Sequence, residues 1–269
     1  MELIDTHCHI QSIGAHTGEA GTMRLWAESN LTAETVIANA HEHGVSKMIC
    51  VGCDLEDSRQ VIEFVKDKPE CFATIGIHPH EAKRYAKDKE ALNQFASLAK
   101  KDKVVAIGEC GLDYFYGHSP KEDQIEVLKF QIELALKQDL SLIFHVRDAF
   151  DDFWPIFEQY EGIRGVLHSF TDNMANLDKA LSKSLLIGVN GIATFNKKPE
   201  QEAVYKAIPL DKLLLETDSP FLTPAPFRGT INEPMRVGLV AEFLSKLKSE
   251  DRQSLAGKTT KNAIELFGI

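Results

Sequence analysis

Eight short runs of β-branched and aliphatic residues punctuate this 269-residue chain, at residues 3–6, 48–51, 72–75, 104–107, 142–144, 166–167, 185–189 and 213–215. The stretches between them carry the 3.6-residue apolar period of helices, as in Ile125, Leu128, Ile132, Ala135 and Leu136, or Val237, Val240, Ala241, Leu244 and Leu247. Strands alternating with helices imply a parallel sheet, because parallel neighbours need a crossover connection. Eight such units predict an α/β fold: a single (β/α)8 barrel of the TIM type, residues 1–269 forming one domain. A doubly wound open sheet is the rival, but it places its ligand at one switch point, whereas polar residues here follow nearly every strand.

No linker, charge block or low-complexity tract divides the chain. Residues 11–30, rich in Gly, Ala and Thr, read as a long loop over the end of the first strand, and residues 223–234, with Pro224, Pro226 and Gly229, as another before the last helices. With 43% apolar and 26% charged residues the chain can bury a sizeable core. Its net charge of −10 argues against a broad basic surface for coating nucleic acid, so a phosphate substrate must meet positive charge that is local, such as bound divalent ions. Five cysteines cannot all pair, and the opening residues lack a signal pattern, which fits a reducing cytoplasm. Cys50 and Cys53 form a CxxC with no second pair, so reduced thiols are the expected reading over a structural zinc. No apolar run is long enough to span a membrane, and no obligate protein partner is evident.

A barrel places reactive side chains at the C-terminal ends of its strands. His7 and His9 follow the first strand, where the two-residue period turns both imidazoles to one side and Cys8 to the other. Glu109, His145, His168 and Asp218 follow the fourth, fifth, sixth and eighth runs. One histidine at a strand end is unremarkable. Four histidines and two carboxylates at five strand ends form a metal-ligand set of the imidazole and carboxylate kind that zinc, manganese or magnesium accept, and six ligands suit two ions better than one.

Asp5-Thr6-His7-Cys8-His9, Gly76-Ile77-His78-Pro79-His80, Gly108-Glu109-Cys110-Gly111-Leu112-Asp113-Tyr114, His145-Val146-Arg147, His168-Ser169-Phe170, Glu216-Thr217-Asp218-Ser219-Pro220 and Arg228-Gly229-Thr230-Ile231-Asn232-Glu233-Pro234 together resemble the TatD family of metal-dependent deoxyribonucleases. The resemblance runs nearly end to end. It implies a barrel of the wider amidohydrolase group and divalent-ion-dependent hydrolysis of DNA, often from an end. By matched position, His7, His9, Glu109 and Asp218 would hold one ion, with Glu109 bridging to a second held by His145 and His168. Gln11 departs from the aspartate usual in the family, and the loop over residues 11–30 looks longer than usual.

Two ions roughly 3.5–4 Å apart can serve an in-line phosphodiester hydrolysis. Asp218 is the candidate to orient or deprotonate the attacking water, and Glu109 to fix the metal spacing. Arg147 is a candidate phosphate contact, its alternative being an ion pair with Asp148. Arg228 and Asn232 are expected to hold substrate or to pin their loop, and His78 and His80 to touch phosphate or pack theirs. The run Tyr114-Phe115-Tyr116 could stack on a base, although loop packing is the stronger expectation, and Trp26 is a second candidate. Lys100, Lys101 and Lys103 read as a solvated face. Two other functions compete: an amide or ester hydrolase, such as an aminoacyl-tRNA deacylase, and a catalytically silent binding scaffold. A lysine in place of Glu109 would have favoured the former; retention of every expected ligand speaks against the latter.

Overall fold

The computed structural model describes residues 2–15 and 20–269. In chain order the elements are β1 (Leu3–Cys8), α1 (Ala20–Ser29), α2 (Ala33–Glu42), β2 (Val45–Val51), α3 (Leu55–Val65), β3 (Cys71–Ile75), α4 (Ala82–Tyr85), α5 (Lys89–Leu98), β4 (Val104–Asp113) and α6 (Lys121–Gln138). There follow β5 (Ser141–Arg147), α7 (Phe150–Phe157), β6 (Gly165–Leu167), α8 (Met174–Ser182), β7 (Leu186–Val189), α9 (Pro199–Ala207), β8 (Leu213–Leu215), α10 (Val237–Lys248) and α11 (Arg252–Phe267). The eight strands form one sheet in the order β1 to β8. The chain leaving β8 returns to β1: Asp218 N–H donates to His7 O at 2.8 Å and His9 N–H to Ser219 O at 2.8 Å. This is the connectivity of the (β/α)8 barrel, and every strand expected from the sequence is present.

The chain falls into two compact units, Met1–Cys50 with Ser169–Ile269, and Val51–His168. In the first, all six residues of β1 are buried. Thr6 Oγ1 donates to Leu215 O at 3.0 Å, and Asp5 accepts from Thr217 N–H and Oγ1–H at 2.9 and 2.5 Å. β1 and the segment after β8 are thereby fixed to each other on both sides of His7. Helix starts follow simple capping chemistry: Thr32, Asp54, Asp88, Asn173 and Asp251 each accept a hydrogen bond from the backbone N–H three residues on.

In the second unit β4 and β5 run on to Asp113 and Arg147, beyond the apolar runs that announce them, so Glu109 and His145 lie within strands. Gly111 pairs with His145. A Cβ on Gly111 would stand 1.8 Å from His145 O, so no other residue fits between these two strands.

α6 buries Leu128, Ile132 and Ala135 as expected but departs from the rest of its expected face. Ile125 is only half-buried and Leu136 is 37% exposed, while Gln124 and Gln131 are buried on the sheet side. Their amides bond backbone. Gln131 accepts from Ile77 N–H at 2.8 Å and donates to Ile77 O at 3.0 Å. Gln124 accepts from Asp113 N–H at 2.8 Å and donates to Asp113 O at 3.1 Å and to Ser119 O at 2.9 Å. Two side chains seven residues apart on one helix thus hold the chain beyond β3 and the end of β4.

Three further expectations are corrected. Part of the stretch expected as a loop over residues 11–30 is a helix, α1, and Ile10–Ser12 form a 3₁₀ turn; residues 16–19 of that stretch lie outside the described residues. Trp26, on α1, is 1% exposed and donates from Nε1 to His9 O at 3.0 Å, so it braces a site residue and offers no open ring. Lys103 is not a solvated charge: its ammonium donates to Val65 O at 2.8 Å and to Lys68 O and Cys71 O, capping three carbonyls. Lys100 and Lys101 are exposed as expected.

The α6 clamps give a direct test. Gln131→Leu keeps the side-chain volume but strips Ile77 of both backbone partners, so urea unfolding should show a loss of at least about 2 kcal/mol. Leu136→Gln, at a position the apolar period assigns to the core, should change stability by less than about 0.5 kcal/mol.

Candidate metal centre

Each unit carries one group of metal-ligating side chains. In the first unit His7 and His9 stand at the end of β1, and Cys8 between them turns away, its thiol donating to Ile49 O at 3.4 Å. His9 Nε2 lies 3.3 Å and His7 Nε2 3.7 Å from Asp218 Oδ1. Ligand atoms tetrahedrally arranged around a zinc-sized ion at 2.0–2.2 Å are about 3.4 Å apart. The spacing of the three donors therefore fits one shared cation, and their chemistry suits zinc or manganese. Behind them the Asp5 carboxyl is fully buried. Burial lifts its pKa to about 8 in spite of hydrogen bonds from Thr217 and His7, and the nearby Glu216 adds to the rise.

In the second unit three imidazoles face one carboxylate oxygen. Glu109 Oε1 lies 2.7 Å from His145 Nδ1 and 3.8 Å from both His78 Nε2 and His168 Nε2. His78, Glu109 and His145 form a ligand group of metal-binding size. The 2.7 Å contact is a hydrogen bond, shorter than two ligands on one ion would keep. His145 Nε2 meets Asp113 Oδ2 at 2.9 Å, so its ring lies between two carboxylates. Burial works against a charge on His145, but Asp113 and Glu109 outweigh it and raise its pKa to about 9. Burial likewise pushes Asp113 upward; hydrogen bonds from His145, His80 and the Tyr116 backbone hold it well below the usual carboxylate range. Burial keeps His78 neutral, its pKa well below the ordinary imidazole value. An imidazole must give up its proton to bind a metal, so an ion held by His145 would displace the proton from the coordinating nitrogen.

Asp113 is the residue that the sequence reading missed. Besides His145 it holds His80 Nε2 at 3.1 Å and accepts from the Phe115 and Tyr116 N–H groups at 3.0 and 3.1 Å. A carboxylate behind a ligating histidine fixes its tautomer and ring orientation, and the signal was available in the sequence as the fourth residue after Glu109 on one strand. His78 joins the ligand group, while His80 is turned to Asp113.

The other candidates divide. Asn232 is fully buried and its amide donates to Thr217 O at 3.0 Å and Phe221 O at 2.8 Å, which pins the loop. Arg147 lies over Phe115, 3.9 Å from the ring centre, and Arg228 over Phe195 at 3.5 Å. Neither arginine has an ion pair among the described residues, Asp148 included. Tyr114 takes the packing role, its hydroxyl donating to Asp152 Oδ2 at 2.8 Å, whereas Phe115 and Tyr116 are 55% and 52% exposed. No disulfide joins the five cysteines, and among the described residues no potential ligand group includes Cys50.

Removing Glu109 takes the carboxylate out of the second cluster, while His7, His9 and Asp218 keep their own side chains as donors. Metal analysis of folded Glu109→Ala should return at most one ion, with nearly all turnover lost. Cys8→Ser should keep two ions and most activity, and circular dichroism should match wild type for both.

Comparison with known proteins gives the family of the chain. The chain is 36% identical over 269 residues to an uncharacterized metal-dependent hydrolase, YabD, of Bacillus subtilis, covering 99% of both chains. It is 31% identical over 244 residues to the 3'-5' ssDNA/RNA exonuclease TatD of Salmonella typhimurium, covering 88% of this chain and 93% of that protein. Among solved structures, the TatD homolog YjjV of Escherichia coli superposes with a TM-score of 0.87 at 26% identity, covering 99% of this chain and 98% of the other. The family model described as TatD related DNase matches residues 4–268, and with it the strand ends that carry both ligand groups: the chain belongs to the TatD family of metal-dependent hydrolases.

Proposed function

We propose that this chain hydrolyses phosphodiester bonds in DNA, working from an end, with two divalent ions held by its two ligand clusters. The observation that carries the proposal is the convergence of three imidazoles on Glu109 Oε1 in one unit, together with the presence of a His-x-His and aspartate group in the other. One ion is assigned to His7, His9 and Asp218. The second is assigned to Glu109, His145 and His168, with His78 as an added neighbour. Glu109 as the carboxylate shared between the ions rests on the family pattern. So does the assignment of residues 1–269 to one hydrolase domain.

The ions would supply Lewis acidity toward the phosphoryl oxygens and lower the pKa of water. Asp218, whose side chain is 16% exposed, can accept a proton from water at the site. Arg147 and Arg228 are free to donate to phosphate oxygens and are held in place by the rings beneath them. Two unpaired guanidinium groups are the local positive charge that a chain of net charge −10 needs for a polyanion. No helix among the described residues is long and apolar enough to cross a membrane, and with five cysteines outside any disulfide we assign the protein to a reducing cytoplasm. The relative from Salmonella typhimurium is named for single-stranded DNA and RNA, which supports a nucleic-acid substrate.

End-labelled single-stranded DNA, duplex DNA and RNA should be assayed with Mg²⁺, Mn²⁺, Zn²⁺ and chelator. DNA should shorten only with an ion present, and Arg147→Ala should lower kcat/KM roughly 10- to 100-fold with its metal content unchanged. Turnover of acylated substrates with DNA left intact would replace this reading by the amide or ester hydrolase.

A further inference from the structure

Phe115 and Tyr116 are the most exposed large apolar or aromatic side chains among the described residues, at 55% and 52%. Leaving two adjacent rings in water forgoes the stabilisation that burial brings, and such patches mark binding surfaces. These rings are not loosely placed. Asp113 Oδ1 accepts from both of their N–H groups, the two rings meet edge-on at 4.8 Å, and Tyr116 lies parallel to His118 at 5.6 Å. The Arg147 guanidinium stands 3.9 Å from the Phe115 ring centre and 4.8 Å from that of Tyr116. It has no carboxylate partner among the described residues. The other oxygen of Asp113 meets His145 Nε2 at 2.9 Å. One carboxylate thus fixes a ligand of the candidate metal cluster and the backbone of the ring pair.

We infer that Phe115, Tyr116 and Arg147 form a subsite for one unpaired nucleotide, the rings taking the base and the guanidinium its phosphate. The inference rests on the nuclease reading and adds a choice of substrate to it. An anion donor beside two exposed rings matches a nucleotide, which joins a flat base to a phosphate. An acidic peptide would use the arginine but leave the rings without a flat partner. Base–aromatic stacking is tolerant of sequence, because every base has a π-face. It is not tolerant of pairing: inside a duplex both faces of a base are already covered by its neighbours. The subsite therefore selects single strands or frayed ends over paired DNA.

The test uses the full chain and two probes in chelator, where no cutting occurs: fluorescein-labelled decathymidylate, and the same strand built from abasic sites. Fluorescence anisotropy gives the affinity of wild type, of the Phe115→Ala/Tyr116→Ala double variant and of Tyr116→Phe. The double variant should lose roughly 5- to 100-fold in affinity for the thymidine strand. It should bind the abasic strand as wild type does, and Tyr116→Phe, which keeps the ring, should match wild type on both. Wild-type affinity of the double variant for the thymidine strand would overturn the inference. Equal losses on both strands would also do so, since the rings would then act only through the fold or Arg147. Failure of wild type to bind either probe would do the same. Turnover of end-labelled DNA by wild type with Mn²⁺ separates the two levels: no cutting defeats the nuclease reading, whereas cutting with binding indifferent to the rings defeats this inference alone.

Discussion

A carboxylate that is only 5% exposed, with three imidazole nitrogens within 3.8 Å of one of its oxygens, is the constraint around which the second unit is built. Taking an ionised carboxylate out of water costs several kcal/mol unless charge and hydrogen bonds replace the solvent. Around Glu109 they do so through His145, whose ring bonds Glu109 through Nδ1 and Asp113 through Nε2. Gly111 gives up a side chain so that β4 can lie against the backbone of His145. Gln124 and Gln131 give up solvent to clamp Asp113 and Ile77, the residue before His78. Each makes sense as support for a small group of charged and ligating atoms that must not move.

The first unit meets the same demand differently. His7 and Asp218 come from opposite ends of the sequence, and the Asp5 to Thr217 hydrogen bonds join the two segments immediately behind them. Trp26 braces His9 from α1. The candidate ligands lie on strands or just after them in both units, and side-chain bonds across long sequence separations hold the segments that carry them.

That difference explains what the sequence could disclose. Strand and helix alternation, the side on which His7 and His9 fall, and the placement of His168 and Asp218 just after strands follow from local periods and were legible, whereas β4 and β5 run on past the apolar runs that announce them and take in Glu109 and His145. The buried face of α6 was legible only in part: Leu128, Ile132 and Ala135 are buried as their period says, but Gln124 and Gln131 are buried for their amides and an apolar period is blind to them. Lys103 was misjudged and Asn232 left open for a related reason: a polar side chain that serves distant carbonyls has the same local sequence as one that serves a ligand or solvent. α1 was hidden by Gly21 and Thr22 at its start, residues of low helix propensity, and it is held by burial of Trp26. The exposed Phe115 and Tyr116 and the packed Tyr114 could not be told apart either, since nothing in three consecutive aromatics says which ring finds a partner.

The central claim is that both clusters hold ions, and diffraction from crystals soaked in Mn²⁺ tests it without reference to any substrate. Anomalous difference maps should give one peak beside His7, His9 and Asp218 and a second beside Glu109, with the His145 to Glu109 hydrogen bond opened to admit it. A single peak, or strong peaks elsewhere with that hydrogen bond intact at full soaking, would contradict the account.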